Sequence, residues 1–216
     1  MQTESVREYY EILNKKRMQL FFKRLFDIVA SFLMLILISP IYLILAIIIK
    51  LDSKGPVFYR QTRITAYGKE FRIHKFRTMI DKADQKGTLI TLNEDSRVTR
   101  VGKFIRKIRL DETGQLIDIL EGNMSFVGTR PEVPKYVKHY SDEMNATLLL
   151  PAGVTSNASI EYKDEDDILK DSKAHEKTYI EKILPEKMKY NLNDIKEFSL
   201  FRELKIMIKT VVAVIK

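Results

Sequence analysis

Between Ile28 and Ile49 the chain runs for 22 residues without a formal charge, and most of them are Leu, Ile, Val, Phe or Met. At ~1.5 Å per residue, a helix of that length matches a ~30 Å hydrocarbon core. The run is too long for the apolar part of a cleavable signal peptide, and no small-residue cleavage site follows it. The segment is therefore expected to lie in a membrane. Ser39-Pro40 sits near its centre. Proline removes one backbone donor and bends the helix, and the Ser39 hydroxyl can serve the carbonyl so freed. Both flanks are basic: Lys15, Lys16, Arg17, Lys23 and Arg24 precede the run, and Lys50, Lys54, Arg60 and Arg63 follow it. The positive-inside tendency places both flanks in the cytoplasm. A helix that enters, bends at Ser39-Pro40 and returns satisfies this, whereas a kinked span satisfies it on one side only. The residues alone leave both arrangements open. Asp27, at the mouth of the segment, is placed to pair with Lys23 or Arg24.

The remaining composition is that of a folded domain. Of the 216 residues, 31% are charged and 45% hydrophobic, which excludes a disordered chain and leaves ample length for a core. There is no cysteine, so disulfides, thiolate metal sites and thiol nucleophiles are excluded. A net charge of +8 calls for anionic partners: nucleic acid, lipid headgroups or phosphorylated small molecules.

Downstream of the membrane segment, Val57–Arg63 and Glu70–Phe76 read as strands of a β-hairpin around Ala66-Tyr67-Gly68-Lys69. Asp81–Asn93 reads as a polar loop. Arg97–Leu110 alternates basic with apolar positions. It is expected as an amphipathic helix, lying either on an anionic membrane surface or against the core. Glu161–Asp171 is strongly acidic and expected as a solvated helix or loop. Phe198–Lys216 carries apolar residues at helical spacing, for a core helix or a second interfacial one.

Chemistry concentrates between Ile108 and Glu132. Asp111 and Glu112 are adjacent acids directly after a basic apolar helix. Neighbouring helical side chains diverge by about 100°, so one is suited to act as a nucleophile and the other to hold a cation or orient a proton. An acid pair answering a helix dipole is the plainer alternative. Gly122–Glu132 then delivers Arg130 from a glycine-rich turn, and the planar fork of arginine suits phosphate. Upstream, Lys75 and Arg77 fall on one face of an extended strand, an arrangement suited to a diphosphate.

In order, Lys23-Arg24-Leu25-Phe26-Asp27, the apolar helix broken at Ser39-Pro40, Gly55-Pro56-Val57-Phe58-Tyr59-Arg60-Gln61, Gly68-Lys69-Glu70-Phe71, Lys75-Phe76-Arg77-Thr78-Met79, Leu110-Asp111-Glu112 and Met124–Pro131 resemble the bacterial sugar transferase family, the monotopic phosphoglycosyl transferases. The resemblance covers roughly residues 20–210, and it is to the small members, which carry only the catalytic unit. It implies an α+β fold: a mostly helical cytoplasmic domain with a small hairpin or sheet. An N-terminal re-entrant helix and interfacial amphipathic helices anchor that domain. The expected division is an N-terminal segment over 1–22, the re-entrant helix over 23–51 and the catalytic domain over 52–216.

The resemblance also implies a reaction. Asp111 attacks the phosphate nearest the sugar of a UDP-sugar and releases UMP. The aspartyl-phosphosugar so formed is then attacked by a polyprenyl phosphate, typically undecaprenyl phosphate. Mg²⁺, held by Asp111 and Glu112, is the implied cofactor. Arg130 is the implied phosphate ligand, with Lys75 and Arg77 as helpers. The expected place is the cytoplasmic face of the inner membrane, among its lipids. A homo-oligomer is compatible with the sequence and not specified by it. No nucleic-acid motif accompanies the positive charge, so nucleic acid is not an expected partner. A silent membrane scaffold would not need the intact Asp111, Glu112 and Arg130. The chain departs from the family pattern at Thr129, where proline is common, at Gly114, and over Pro151–Ser156. No sugar is assigned from them.

Overall fold

The computed structural model describes residues 3–81, 83, 95–163, 165 and 175–215. Most of the expected polar loop over 81–93 and of the acidic stretch over 161–171 lies outside the described residues. What is described is mostly helical, with two small sheets.

Helix α1 (Glu4–Asn14) buries Val6, Tyr9 and Leu13, which fall at i, i+3 and i+7 on one face. They pack on Leu192 and Ile195 of a later helix, on Phe198, and on Ala146 and Leu149 of a 3₁₀ turn over Met144–Leu149. Each such burial contributes ~2 kcal/mol, so the N-terminal segment shares a core with the rest of the chain. Helix α2 (Arg17–Asp52) contains the apolar run and continues without interruption through Pro40. The expected break is confined to one bond. Pro40 cannot donate to the Ile36 carbonyl, and Ser39 Oγ donates to that carbonyl at 2.8 Å.

One stripe of α2 meets the domain along the whole helix. Lys23, Asp27 and Ser31 are buried near one end, Leu45 and Ile49 near the other, with Leu35, Ile38 and Tyr42 partly buried between. Only 11% of its most apolar stretch of 18 residues is buried. The remaining Phe, Leu, Ile and Val side chains form a bare apolar surface of the kind a lipid phase covers.

The expected hairpin is present. Strands β1 (Phe58–Ile64) and β2 (Glu70–Phe76) pair antiparallel, with Tyr59 opposite Lys75 and Arg63 opposite Phe71. Thr65–Lys69 closes it, using a left-handed Tyr67 and Gly68. Helix α3 (Arg100–Lys107) is capped by Thr99 Oγ1, which accepts from the Gly102 amide at 3.0 Å. Gly102 and Ile105 face the core, while Phe104 and Ile108 stay exposed among basic residues. Of the two expected roles, α3 has features of both.

Arg109 then adopts a left-handed backbone (φ 57°) that turns the chain into a 3₁₀ turn over Leu110–Gly114, followed by α4 (Gln115–Glu121). Strand β3 (Met124–Val127) pairs in parallel with β4 (Ala152–Thr155). The short α5 (Pro134–Val137) lies between them in sequence. At the ends of β3 and β4 the Gly128 amide donates to the Thr155 carbonyl (2.9 Å), and the Gly153 amide donates to the Thr129 carbonyl (2.8 Å). A Cβ on Gly153 would stand 2.1 Å from the Gly128 nitrogen, so this backbone crossing admits only glycine there. The chain ends with α6 (Asn157–Glu161), α7 (His175–Thr178), a π-helical turn over Tyr179–Ile183, α8 (Leu184–Lys196) and α9 (Leu200–Ile215). In α9, Ile206 is buried while Phe201, Leu204, Ile208, Val211 and Val212 remain exposed along one side.

Candidate active site

The acid pair lies on the 3₁₀ turn rather than on an α-helix. Gly114 presses that turn against β2: a Cβ there would stand 2.9 Å from the His74 carbonyl oxygen. Lys75, projecting from β2, donates to Glu112 Oε1 at 2.8 Å. Arg130, beyond the Gly128–Gly153 crossing, donates to the same oxygen and reaches Glu112 Oε2 at 3.4 Å. Three of the expected site residues thus form one cluster, assembled from the hairpin, the 3₁₀ turn and the loop after β3.

The two carboxylates have opposite surroundings. Burial alone would raise the Glu112 pKa, but the charges and hydrogen bonds of Arg130 and Lys75 outweigh it and hold the group well below the ordinary range. Asp111 has no side-chain hydrogen-bond or ion-pair partner among the described residues. Burial pushes its pKa up, the Glu112 charge adds to that, and Lys75 and Arg106 pull it partly back. A desolvated carboxylate bonded only to its own amide among the described residues, beside one that is doubly neutralised, is a reactive arrangement.

Further cations surround the pair. Arg106 Nε donates to Thr78 Oγ1 at 2.8 Å and bears on Asp111 electrostatically. Arg63 donates to the Pro131 carbonyl at 3.0 Å and to Gln61 Oε1 at 2.6 Å, holding the Arg130 loop from below. Lys75, Arg106 and Arg130 act directly on the two acids, an arrangement of cations that suits a diphosphate, while Arg63 stands beside Arg130 with Glu132 offsetting its charge. Arg63 and Arg106 were not among the expected site residues. Strand alternation carried the signal for Arg63, because the register of β1 and β2 puts Tyr59, Gln61 and Arg63 on the face of Lys75. Arg106 falls within the amphipathic stretch Arg97–Leu110, expected either on a membrane surface or against the core, and so does not read as a site residue.

Arg77 is placed differently from the expectation. Its amide still extends the hairpin, donating to the Val57 carbonyl at 2.9 Å, but its guanidinium is held elsewhere. Its Nη2 donates to the Ser53 carbonyl (2.6 Å), to Ser53 Oγ (2.9 Å) and to the Ile49 carbonyl (3.3 Å), at the C-terminal end of α2. Nor does Asp27 pair with Lys23 or Arg24. Asp27 Oδ1 accepts from the Phe126 amide at 3.3 Å. Lys23 pairs with Glu203 and donates to the Val127 carbonyl at 2.9 Å. Arg24 donates to the Ile119 (2.7 Å) and Leu120 (3.0 Å) carbonyls, satisfying the last turn of α4.

A second group of possible metal ligands, His74, Asp118 and Glu121, lies within 4.8 Å. Asp118 is already engaged, accepting from the His74 amide and ring Nδ1, each at 2.8 Å. Arg60 donates to the other ring nitrogen at 2.5 Å, which leaves the imidazole no free lone pair. The His74–Asp118 pair locks β2 to α4.

Similar proteins place this arrangement. A family model described as bacterial sugar transferase matches residues 18–216. The chain is 36% identical over 197 residues to an Aeromonas hydrophila protein named UDP-N-acetylgalactosamine-undecaprenyl-phosphate N-acetylgalactosaminephosphotransferase, covering 88% of this chain and 43% of that protein. A UDP-glucose:undecaprenyl-phosphate glucose-1-phosphate transferase of Klebsiella pneumoniae is 37% identical over 194 residues, covering 88% and 39%. One of the same name from Caulobacter vibrioides is 34% identical over 192 residues, covering 88% and 68%. The chain thus spans about two fifths of the length of the first two relatives and about two thirds of the third. With the motifs in order and the acid pair, lysine and arginine brought together, the chain belongs to the bacterial sugar transferase family.

Proposed function

We propose that this chain transfers a sugar 1-phosphate from a UDP-sugar to a polyprenyl phosphate such as undecaprenyl phosphate, at the cytoplasmic face of the inner membrane. A carboxylate oxygen of Asp111 attacks the phosphorus that bears the sugar, and the bond to the bridging oxygen breaks as UMP leaves. The lipid phosphate then attacks the same phosphorus and displaces Asp111, giving a lipid-linked diphosphosugar. Lys75 and Arg130 bind the phosphates, Arg106 adds charge beside the nucleophile, and Arg77 supports the strand from its seat at Ser53. The observation that carries this reading is the asymmetry of the acid pair: Glu112 is neutralised twice, while Asp111 is desolvated and without a side-chain partner.

The donor set fits Mg²⁺, which takes one or two carboxylates plus substrate oxygens. Among the described residues Asp111 has no side-chain partner, and Glu112 Oε2 has only the long 3.4 Å contact to Arg130. These two side chains would hold the ion, which neutralises charge on the diphosphate. The relatives' names differ in the sugar, glucose or N-acetylgalactosamine, and no sugar is assigned here.

We further propose that α2 is re-entrant. Both of its ends hydrogen-bond the same domain, Lys23 at Val127 and Asp52 Oδ2 at the Val101 amide (3.1 Å), so a straight crossing would carry that domain through the bilayer. The exposed Phe104 and Ile108 on α3, amid basic residues, and the exposed apolar side of α9 suit the interface.

UMP release from a panel of UDP-sugars, with Mg²⁺ and undecaprenyl phosphate, tests the reaction. The expected result is release with at least one sugar by the wild type and none by Asp111→Asn. Substantial turnover by the variant overturns Asp111 as nucleophile.

A further inference from the structure

One side chain of the membrane helix reaches the catalytic turn. Tyr42 lies two residues beyond Pro40 on α2, and its hydroxyl donates to the Thr113 carbonyl at 2.5 Å. Thr113 follows Glu112 directly. The Tyr42 ring stands edge-on to Phe76, with centroids 4.9 Å apart and planes at 80°. Phe76 follows Lys75 directly and in turn contacts Phe58, with centroids 4.8 Å apart. Tyr42 therefore touches the chain neighbour of each partner in the Lys75–Glu112 ion pair, one through its hydroxyl and the other through its ring. A hydroxyl in an apolar setting is costly unless bonded, which fixes its direction. On the far side of the turn, the Thr113 hydroxyl donates to the Leu110 carbonyl at 2.7 Å.

We propose that Tyr42 is a positioning residue for the acid pair: its hydroxyl holds the 3₁₀ turn, and its ring holds the strand that presents Lys75. The seating of the membrane helix then sets the aim of Asp111. This rests on the reading of Asp111 as nucleophile. Such a residue acts on the geometry of reaction more than on substrate affinity, and a misplacement of about 1 Å can cost ~10²-fold.

Tyr42→Phe removes the hydroxyl and keeps the ring. In the full chain, reconstituted in nanodiscs with undecaprenyl phosphate, kcat for UMP release is expected to fall about tenfold or more. KM for the UDP-sugar should stay within about twofold. Hydrogen exchange at the amides of residues 110–116, measured without substrate, is expected to speed up in the variant, while exchange in α1 and α8 stays unchanged. Tyr42→Leu, which also loses the ring contact, is expected to show the larger fall. A Tyr42→Phe variant with wild-type kcat overturns the proposal, as does a change confined to KM or an unaltered exchange of the turn. Asp111→Asn run beside it separates the two readings. Should that variant keep its turnover, the nucleophile assignment fails, and the substrate-free exchange still decides whether Tyr42 holds the turn.

Discussion

Replacing Glu112 by glutamine tests the electrostatics of the cluster. The side chain keeps its shape and one acceptor oxygen but loses the charge that Lys75 and Arg130 both use. The Lys75 and Glu112 side chains are 22% and 18% exposed, and Arg130 is 35% exposed. Breaking a buried ion pair from one side costs about 3–5 kcal/mol. Because Arg130 is more than a third open to solvent, its share is screened, and the lower end, ~3 kcal/mol, applies. For a chain of this size that corresponds to a fall in thermal midpoint of roughly 6–12 °C. Circular dichroism of the nanodisc-embedded protein would measure it. The pH dependence supplies a second signature. Glu112 has a folded pKa depressed below its unfolded value, so its stabilisation is fully present above the unfolded value of ~4.3 and is lost as pH falls through the folded one. The gap between wild type and Glu112→Gln should stay constant from pH 8 to about pH 5 and close only below that. A midpoint shift under about 2 °C, or a gap that widens toward acid, would refute the reasoning.

As the proposed nucleophile, Asp111 would have to be ionised to attack, so activity is expected to fall as pH drops through its raised pKa. Lys75→Met should move that acid limb to higher pH and Glu112→Gln to lower pH, because their charges act on Asp111 with opposite sign. Matching shifts of the kcat/KM profile in one direction would contradict the assignment. Gly153→Ala should cost ~1–3 kcal/mol or more through the clash with Gly128, and an unchanged thermal midpoint would show that the crossing is looser than described. Ser39→Ala leaves the Ile36 carbonyl unserved in an apolar setting. It should cost roughly 0.6–1 kcal/mol in nanodiscs, read as a shift of about 1–4 °C; no shift would mean that Ser39 does not serve that carbonyl.

Local signals were the legible ones. The hairpin was readable because two alternating runs flank a Tyr-Gly turn, and the membrane helix because composition alone marks it. Glu112, Lys75 and Arg130 were readable as motif members, but their convergence on one carboxylate oxygen joins three elements distant in sequence. The parallel pairing of β3 with β4 escaped for the same reason: each strand has four residues, and the pairing depends on glycines 25 residues apart in sequence, Gly128 and Gly153. Arg77 misled because its guanidinium is taken up by Ser53 and the Ile49 carbonyl at the end of α2, which strand alternation cannot reveal. Tyr42 could not be singled out among the apolar residues of α2, since only its partner distinguishes it.

The hydrogen bonds that Lys23, Arg24, Asp27 and Tyr42 make from α2 to residues 113–127 end on main-chain groups: the carbonyls of Val127, Ile119, Leu120 and Thr113 and the amide of Phe126. Such groups exist whatever side chains surround them. The polar part of the docking of α2 onto this stretch is therefore addressed to the path of the polypeptide and not to its spelling. The side-chain contacts of α2, with Leu35 and Ile38 on Leu116, Ile119 and Met124 and the Phe26 ring on Phe126, must be matched separately, so a helix that keeps these four residues carries only the polar part of its docking with it. With those contacts matched, exchanging α2 between divergent members of the family becomes a practical way to change the bilayer a given catalytic unit inhabits.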